Sequence, residues 1–149
     1  MKKVRVESFT VEGMSTVTTN RQEMDPETGK IGKLWDRFFA LCENRKCIPE
    51  TGYGLYHRYE TDCNGPFTVT AATIPGHIKG LGETVEVPAG TYLKFERSGP
   101  MPQTCIALWQ DIWGYFSSDT APSRTYLVDF EEYRGEESVA IHIGVKETP

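Results

Sequence analysis

The stretch Tyr126-Leu-Val-Asp-Phe-Glu-Glu-Tyr133 sets three carboxylates among three aromatic rings. Side chains alternate along an extended chain. Leu127, Asp129, Glu131 and Tyr133 therefore share one face, and Tyr126, Val128, Phe130 and Glu132 the other. A carboxylate surrounded by rings loses part of its hydration, and a cation brought alongside recovers that cost. Trp35, Trp109, Tyr56, Tyr59 and Tyr92 supply further rings, whose faces can sandwich a planar ligand and attract its positive charge. Periodicity alone does not separate Glu131 from Glu132. Two solvated glutamates beside a turn, and rings serving as ordinary core, fit the same pattern.

The sequence leans toward binding without deciding between binding and catalysis. It has no nucleophile elbow, no phosphate-cradling glycine loop and no His-Glu-x-x-His. His57, His77 and His142 have no sequence neighbours that suggest a triad. Cys42, Cys47, Cys63 and Cys105 lack C-x-x-C spacing, so neither a metal site nor a cofactor is expected, and Cys42 and Cys105 fall at core positions of two helices. Sixteen basic against twenty-one acidic side chains give a net charge of −5. With no basic stripe, this disfavours nucleic acid and favours cationic small molecules. Neither a signal core nor a membrane span is apparent, which suggests a cytoplasmic protein.

The elements that must hold these residues are written twice. A spacing of 74 residues carries Ile31, Leu34, Trp35, Phe38 and Cys42 onto Cys105, Leu108, Trp109, Ile112 and Phe116. It carries Tyr56 and Tyr59 onto Phe130 and Tyr133, then Phe67, Val69 and Ala71 onto Ile141, Ile143 and Val145. Apolar periodicity predicts helices over about 31–44 and 102–117. Each is preceded by extended chain: 4–9 and 14–20 with a kink at Glu12-Gly13, then 83–87 and 91–97 around Pro88-Ala89-Gly90. Each is followed by two strands: 53–60 and 67–75, then 125–133 and 138–146. Gly13 and Gly90 align only at a spacing of 77, which places a three-residue insertion in the Met24–Gly29 loop. The expectation is one α+β domain, 1–149, built from two β-α-β-β units of about 1–78 and 79–149. Its mainly antiparallel sheet carries both helices on one face, with a ligand groove at the pseudo-two-fold axis.

These residues resemble the GyrI-like effector-binding domain family, the ligand domain of AraC-type and MerR-type multidrug regulators. The resemblance rests on Ile31-Gly-Lys-Leu-Trp35-Asp-Arg-Phe38, Tyr53-Gly-Leu-Tyr56, Gly65-Pro-Phe-Thr-Val69, Val87-Pro-Ala-Gly-Thr-Tyr92, Gly99-Pro100, Asp129-Phe-Glu-Glu-Tyr133 and Ile141-His-Ile143. It spans essentially the whole chain. It implies a pocket for cationic, aromatic, drug-like compounds with a buried carboxylate, and the family's F-E-x-Y pattern marks Glu131 for that role. Glu131, Tyr133, Trp35, Trp109, Tyr56, Tyr92 and Phe130 form the expected ligand set. Stand-alone members include ones carried on integron cassettes. No DNA-binding helices flank the matched region, so control of transcription would pass through a separate regulator protein. Two other activities come with the resemblance: hydrolysis of cyclopropane-containing toxins, with Glu131 and a tyrosine directing water, and inhibition of a partner protein.

Overall fold

Strand β1 (Lys2–Val6) is joined to β2 (Phe9–Thr18) by only two residues, yet the two strands lie far apart in the sheet. The computed structural model describes residues 1–44, 51–62, 64–74, 83–135 and 137–146. After β2 come α1 (Asn20–Glu23), α2 (Ile31–Asn44), β3 (Thr51–His57) and β4 (Phe67–Thr73). The second half runs β5 (Glu83–Val87), β6 (Gly90–Ser98), α3 (Gln103–Phe116), β7 (Val128–Arg134) and β8 (Ser138–Gly144). Cys47, Cys63, His77 and most of the seam between the halves lie outside the described residues, as does the side chain of Cys42.

The eight strands form one antiparallel sheet in the order β1-β6-β8-β7-β3-β4-β2-β5. Replacing each strand by its counterpart reverses this order, so the local two-fold falls between β3 and β7. The first strand of each half is exchanged: β1 pairs with β6, and β5 with β2. Short links tie each edge of the sheet to the strand next to the opposite edge, which only a curled sheet can satisfy. The sheet is accordingly a half-barrel. Its interior holds Val11, Leu55, Val85, Val87, Tyr92, Val128 and Phe130.

The helices cover the outer face. Helix α2 lays Leu34 and Phe38 on Phe67, Val69 and Ala71. Helix α3 lays Cys105, Leu108 and Ile112 on Leu93, Phe95, Ile141 and Ile143. Each fully buried large apolar side chain contributes about 1.5–3 kcal/mol. Glu23 in the one-turn α1 accepts hydrogen bonds from the Lys30 and Ile31 amides at 2.8 and 3.1 Å. It thereby caps α2, a role not evident in the sequence pattern.

The duplicated α+β architecture is as the sequence implied, with several local corrections. Strand β2 runs straight through Gly13, and the chain breaks at Glu7-Ser8 instead. Gly13 is needed for close approach, because a Cβ there would sit 2.1 Å from the Ala71 carbonyl oxygen. Strands β3 and β7 are shorter than expected, because Arg58 and Tyr126 adopt φ values of 51° and 53°, outside the extended region. The spacing of 74 holds for the helices and for β4 with β8 but slips by one on β3 and β7. Tyr56 pairs with Asp129 and Leu55 with Phe130, so Tyr56 and Phe130 face opposite sides and are not equivalents.

Asp129 fastens this central region. Fully buried, it accepts from Arg124 Nη2 at 2.6 Å, Tyr59 Oη at 2.7 Å and the Gly144 amide at 2.9 Å. Removing the cation strands a buried charge. Arg124→Ala is expected to cost about 3–5 kcal/mol, read as a lowered urea midpoint; an unchanged midpoint would show that Asp129 does not depend on it.

A second expectation concerns acid. Burial lowers the imidazole pKa of both His57 and His142 from 6.5 to about 4. The unfolded chain protonates these rings below 6.5 and the folded chain does not. Stability is therefore complete above pH 6.5 and is lost as pH falls toward 4, by on the order of 3 kcal/mol per ring at the limit. Hydrogen bonds from Ser15 and Arg58 outweigh burial and lower the Glu83 pKa from 4.5, so this carboxylate adds its own loss only below that pH. Urea midpoints measured between pH 7 and 4.5 should fall steadily, and a flat profile contradicts the assignment.

Candidate functional site

Helix α2 packs over β2 and β4, and α3 over β6 and β8. The central strands β3 and β7 are thus left as the floor between the two helices. Alternation turns Gly52, Gly54 and Tyr56 of β3 and Asp129, Glu131 and Tyr133 of β7 toward this outer face.

Glu131 sits at the centre, 2% exposed. Its Oε2 accepts from Trp109 Nε1 at 2.7 Å, Tyr56 Oη at 2.8 Å and Cys105 Sγ at 3.2 Å. Its Oε1 accepts from Tyr133 Oη at 2.8 Å. Three of the four donors crowd onto Oε2, and Oε1 keeps one lone pair beyond the Tyr133 bond. All four are uncharged, and their protons are firmly held. Burial first, and the Glu131 charge second, push the Tyr56 and Tyr133 hydroxyls well above their usual pKa of 10. The same two causes raise the Cys105 thiol, so it is no nucleophile.

The space for this carboxylate comes from a missing side chain. Gly54 stands directly across from Glu131. A Cβ there would lie 2.5 Å from Glu131 Oε1 and 3.2 Å from Trp35 Cζ2. Trp35 reaches over this gap, edge-on to Tyr133 with ring centroids 5.5 Å apart. Trp109 does the same from the other side, 5.0 Å from Tyr56. Two large exposed rings continue the walls. Phe39 lies 5.5 Å from Trp35, and Trp113 6.1 Å from Trp109.

Five of the seven residues expected from sequence therefore meet at one place: Glu131, Tyr133, Tyr56, Trp35 and Trp109. The other two lie elsewhere. Phe130 points into the half-barrel, stacked 4.3 Å from His142. Tyr92 is also interior, edge-on to Phe130, with its hydroxyl donated to the Pro88 carbonyl at 2.8 Å. Alternation already set Phe130 opposite Glu131, and this geometry upholds it. The sequence reading missed Gly54, Cys105, Phe39 and Trp113. The last two were within reach, since they are related by the spacing of 74 and each follows a tryptophan by one helical turn.

Asp129 and Glu131 share the face but differ in partners. Asp129 has the Arg124 guanidinium, itself stacked 4.6 Å over Tyr126. Glu131 has no cationic partner among the described residues. Asp129 is a structural tie; Glu131 is a buried charge whose compensation comes only from dipoles.

The profile of the family described as integron-associated effector binding protein matches residues 4–145. An integron cassette protein from the mobile metagenome of Vibrio cholerae is 37% identical. The match covers 97% of this chain and 95% of that one, with a TM-score of 0.87. SAV2435, solved bound to tetraphenylphosphonium, is 17% identical, with 97% and 93% covered and a TM-score of 0.75. A Staphylococcus aureus MU50 protein described as a bacterial transcription regulation protein is 16% identical, with 98% and 97% covered and a TM-score of 0.76. At these lower identities the likeness shows a shared fold. Among curated proteins nothing matches significantly.

Gly54→Ala tests the central packing. Its Cβ must displace the carboxylate or Trp35, which should lower stability by about 1–3 kcal/mol. Gly52→Ala meets only Trp35 Cζ3 at 4.0 Å and should be far milder. Equal urea midpoints for the two variants would contradict this account of Gly54.

Proposed function

The chain belongs to the family of integron-associated effector binding proteins, and from that membership we propose that it is a receptor for lipophilic aromatic cations. They would be held between α2 and α3 against the charge of Glu131. The binding unit is the whole chain, since α2 and β3 of the first half and α3 and β7 of the second all contribute.

One observation carries this reading: a buried carboxylate, ringed by tryptophan and tyrosine, that receives four neutral hydrogen bonds and no cation. Neutral donors solvate it, but its charge is not neutralised. A ligand that brings positive charge without N–H groups suits such a site, because it pairs with the charge and asks for no acceptor. A primary ammonium would bring three donors to a carboxylate with one lone pair to spare, on Oε1. Trp35, Trp109, Phe39 and Trp113 offer the ring faces and edges that hold aromatic substituents and attract cations. The tetraphenylphosphonium found in SAV2435 is a ligand of this kind, in a protein of the same fold.

In this reading the protein works in the cytoplasm, and any effect on transcription passes through a separate regulator protein.

Tetraphenylphosphonium should bind at micromolar concentration, about −7 to −9 kcal/mol. Glu131→Gln should weaken it by about 2–5 kcal/mol while leaving neutral triphenylphosphine oxide nearly unaffected. The fold should persist, because a tyrosine hydroxyl can reverse its bond to accept from the new amide N–H. Glu132→Gln, on the opposite face, should change cation affinity little. Calorimetry in which Glu131→Gln binds the cation as wild type does would overturn the proposal.

A further inference from the structure

The two cleft tryptophans are related by the spacing of 74, yet they are held differently. Trp109 is fastened. Its Nε1 donates to Glu131 Oε2 at 2.7 Å, and the Tyr56 ring lies against it at 5.0 Å. Moving it sacrifices a hydrogen bond to a charged acceptor. Among the described residues Trp35 has ring contacts with Phe38, Phe39 and Tyr133 but makes no hydrogen bond. The floor beneath it is bare backbone: a Cβ on Gly52 or Gly54 would lie 4.0 or 3.2 Å from its ring.

Glu131 is 2% exposed, so a cation reaches it only when a side chain moves. The carboxylate is most approachable at Oε1, the oxygen that keeps a lone pair. That oxygen is on the Trp35 side. The point where a Gly54 Cβ would stand is 2.5 Å from Oε1 and 3.2 Å from Trp35 Cζ2. The indole therefore turns its hydrogen-bearing edge, the positive edge of an aromatic ring, toward the open side of the charge. It is a weak stand-in for a cation.

Trp35 also has somewhere to go. Helical side chains lean over the turn before their own, and the residue three before Trp35 is Gly32. A Cβ on Gly32 would meet no described atom within 4 Å. On α3 the same place, three before Trp109, carries the side chain of Ile106. Only the unfastened tryptophan has both a bare floor beneath it and free space behind it. We propose, on the reading of Glu131 as the receptor's charge, that the seat of the cation is the strip over Gly52 and Gly54, which the Trp35 indole occupies in this structure. The ligand takes that place against Oε1 as Trp35 swings over Gly32.

The full chain is mixed with tetraphenylphosphonium and followed by stopped-flow tryptophan fluorescence, Trp109 and Trp113 serving as reporters when Trp35 is replaced. Trp35→Ala should associate roughly tenfold faster than wild type or more, because the covered fraction no longer limits entry. Gly32→Ile, which puts the α3 side chain on α2, should associate roughly tenfold more slowly, because the uncovered state loses its space. Misfolding cannot produce both changes. In the saturated complex the ligand's phenyl protons should show nuclear Overhauser contacts to the α-protons of Gly52 and Gly54. Wild-type rates in both variants, or contacts to Tyr56 with none to the two glycines, would overturn the seat and leave the receptor reading standing. A wild-type protein that does not bind the cation at all would overturn both.

Discussion

A negative charge buried at the join between two halves is the constraint on which the rest of the structure depends. Glu131 can be held there only because Gly54 has no Cβ to occupy the same space. Four neutral donors then have to converge, and they come from β3, α3 and β7. The positions of both helices follow. Helix α3 must bring Cys105 and Trp109 over the carboxylate while burying Leu108 and Ile112, and α2 must bring Trp35 over Gly54 while burying Leu34 and Phe38. Each helix therefore spends one stripe on the core and the neighbouring stripe on the cleft.

The second carboxylate shows how environment divides two similar groups. Asp129 and Glu131 are two residues apart, on one strand and one face. Asp129 has a buried guanidinium and a backbone amide and is locked into the framework. Glu131 has donors that carry no charge. Breaking the first pair should damage stability, whereas altering the second should damage recognition. The contrast arises from a single residue, Arg124, which reaches Asp129 and bridges backbone to Val145.

Much of this was legible in the chain itself. Helix periodicity located α2 to the residue, and the spacing of 74 exposed the duplication, because core positions in helices and central strands tolerate few residue types. Alternation separated Glu131 from Glu132 by face but could not say which face was ligand-facing, since that depends on where the helices dock. The one-residue slip between β3 and β7 was hidden because Tyr56 and Phe130 are both large aromatics. Gly54 was invisible for a related reason: its importance lies in the atom across the ladder, and strand pairing is not written in local sequence. The exchange of β1 and β5 was likewise unforeseeable, since their short, alternating patterns would suit either edge of the sheet.

That exchange has a consequence for how the chain comes to be folded. The partners of β1 are residues 90–94, so the N-terminal strand has nothing to pair with until well over half of the polypeptide exists. Folding during synthesis cannot proceed outward from the N-terminus. It must begin with local elements such as α2 and the β3–β4 hairpin, leaving β1 to close the sheet last.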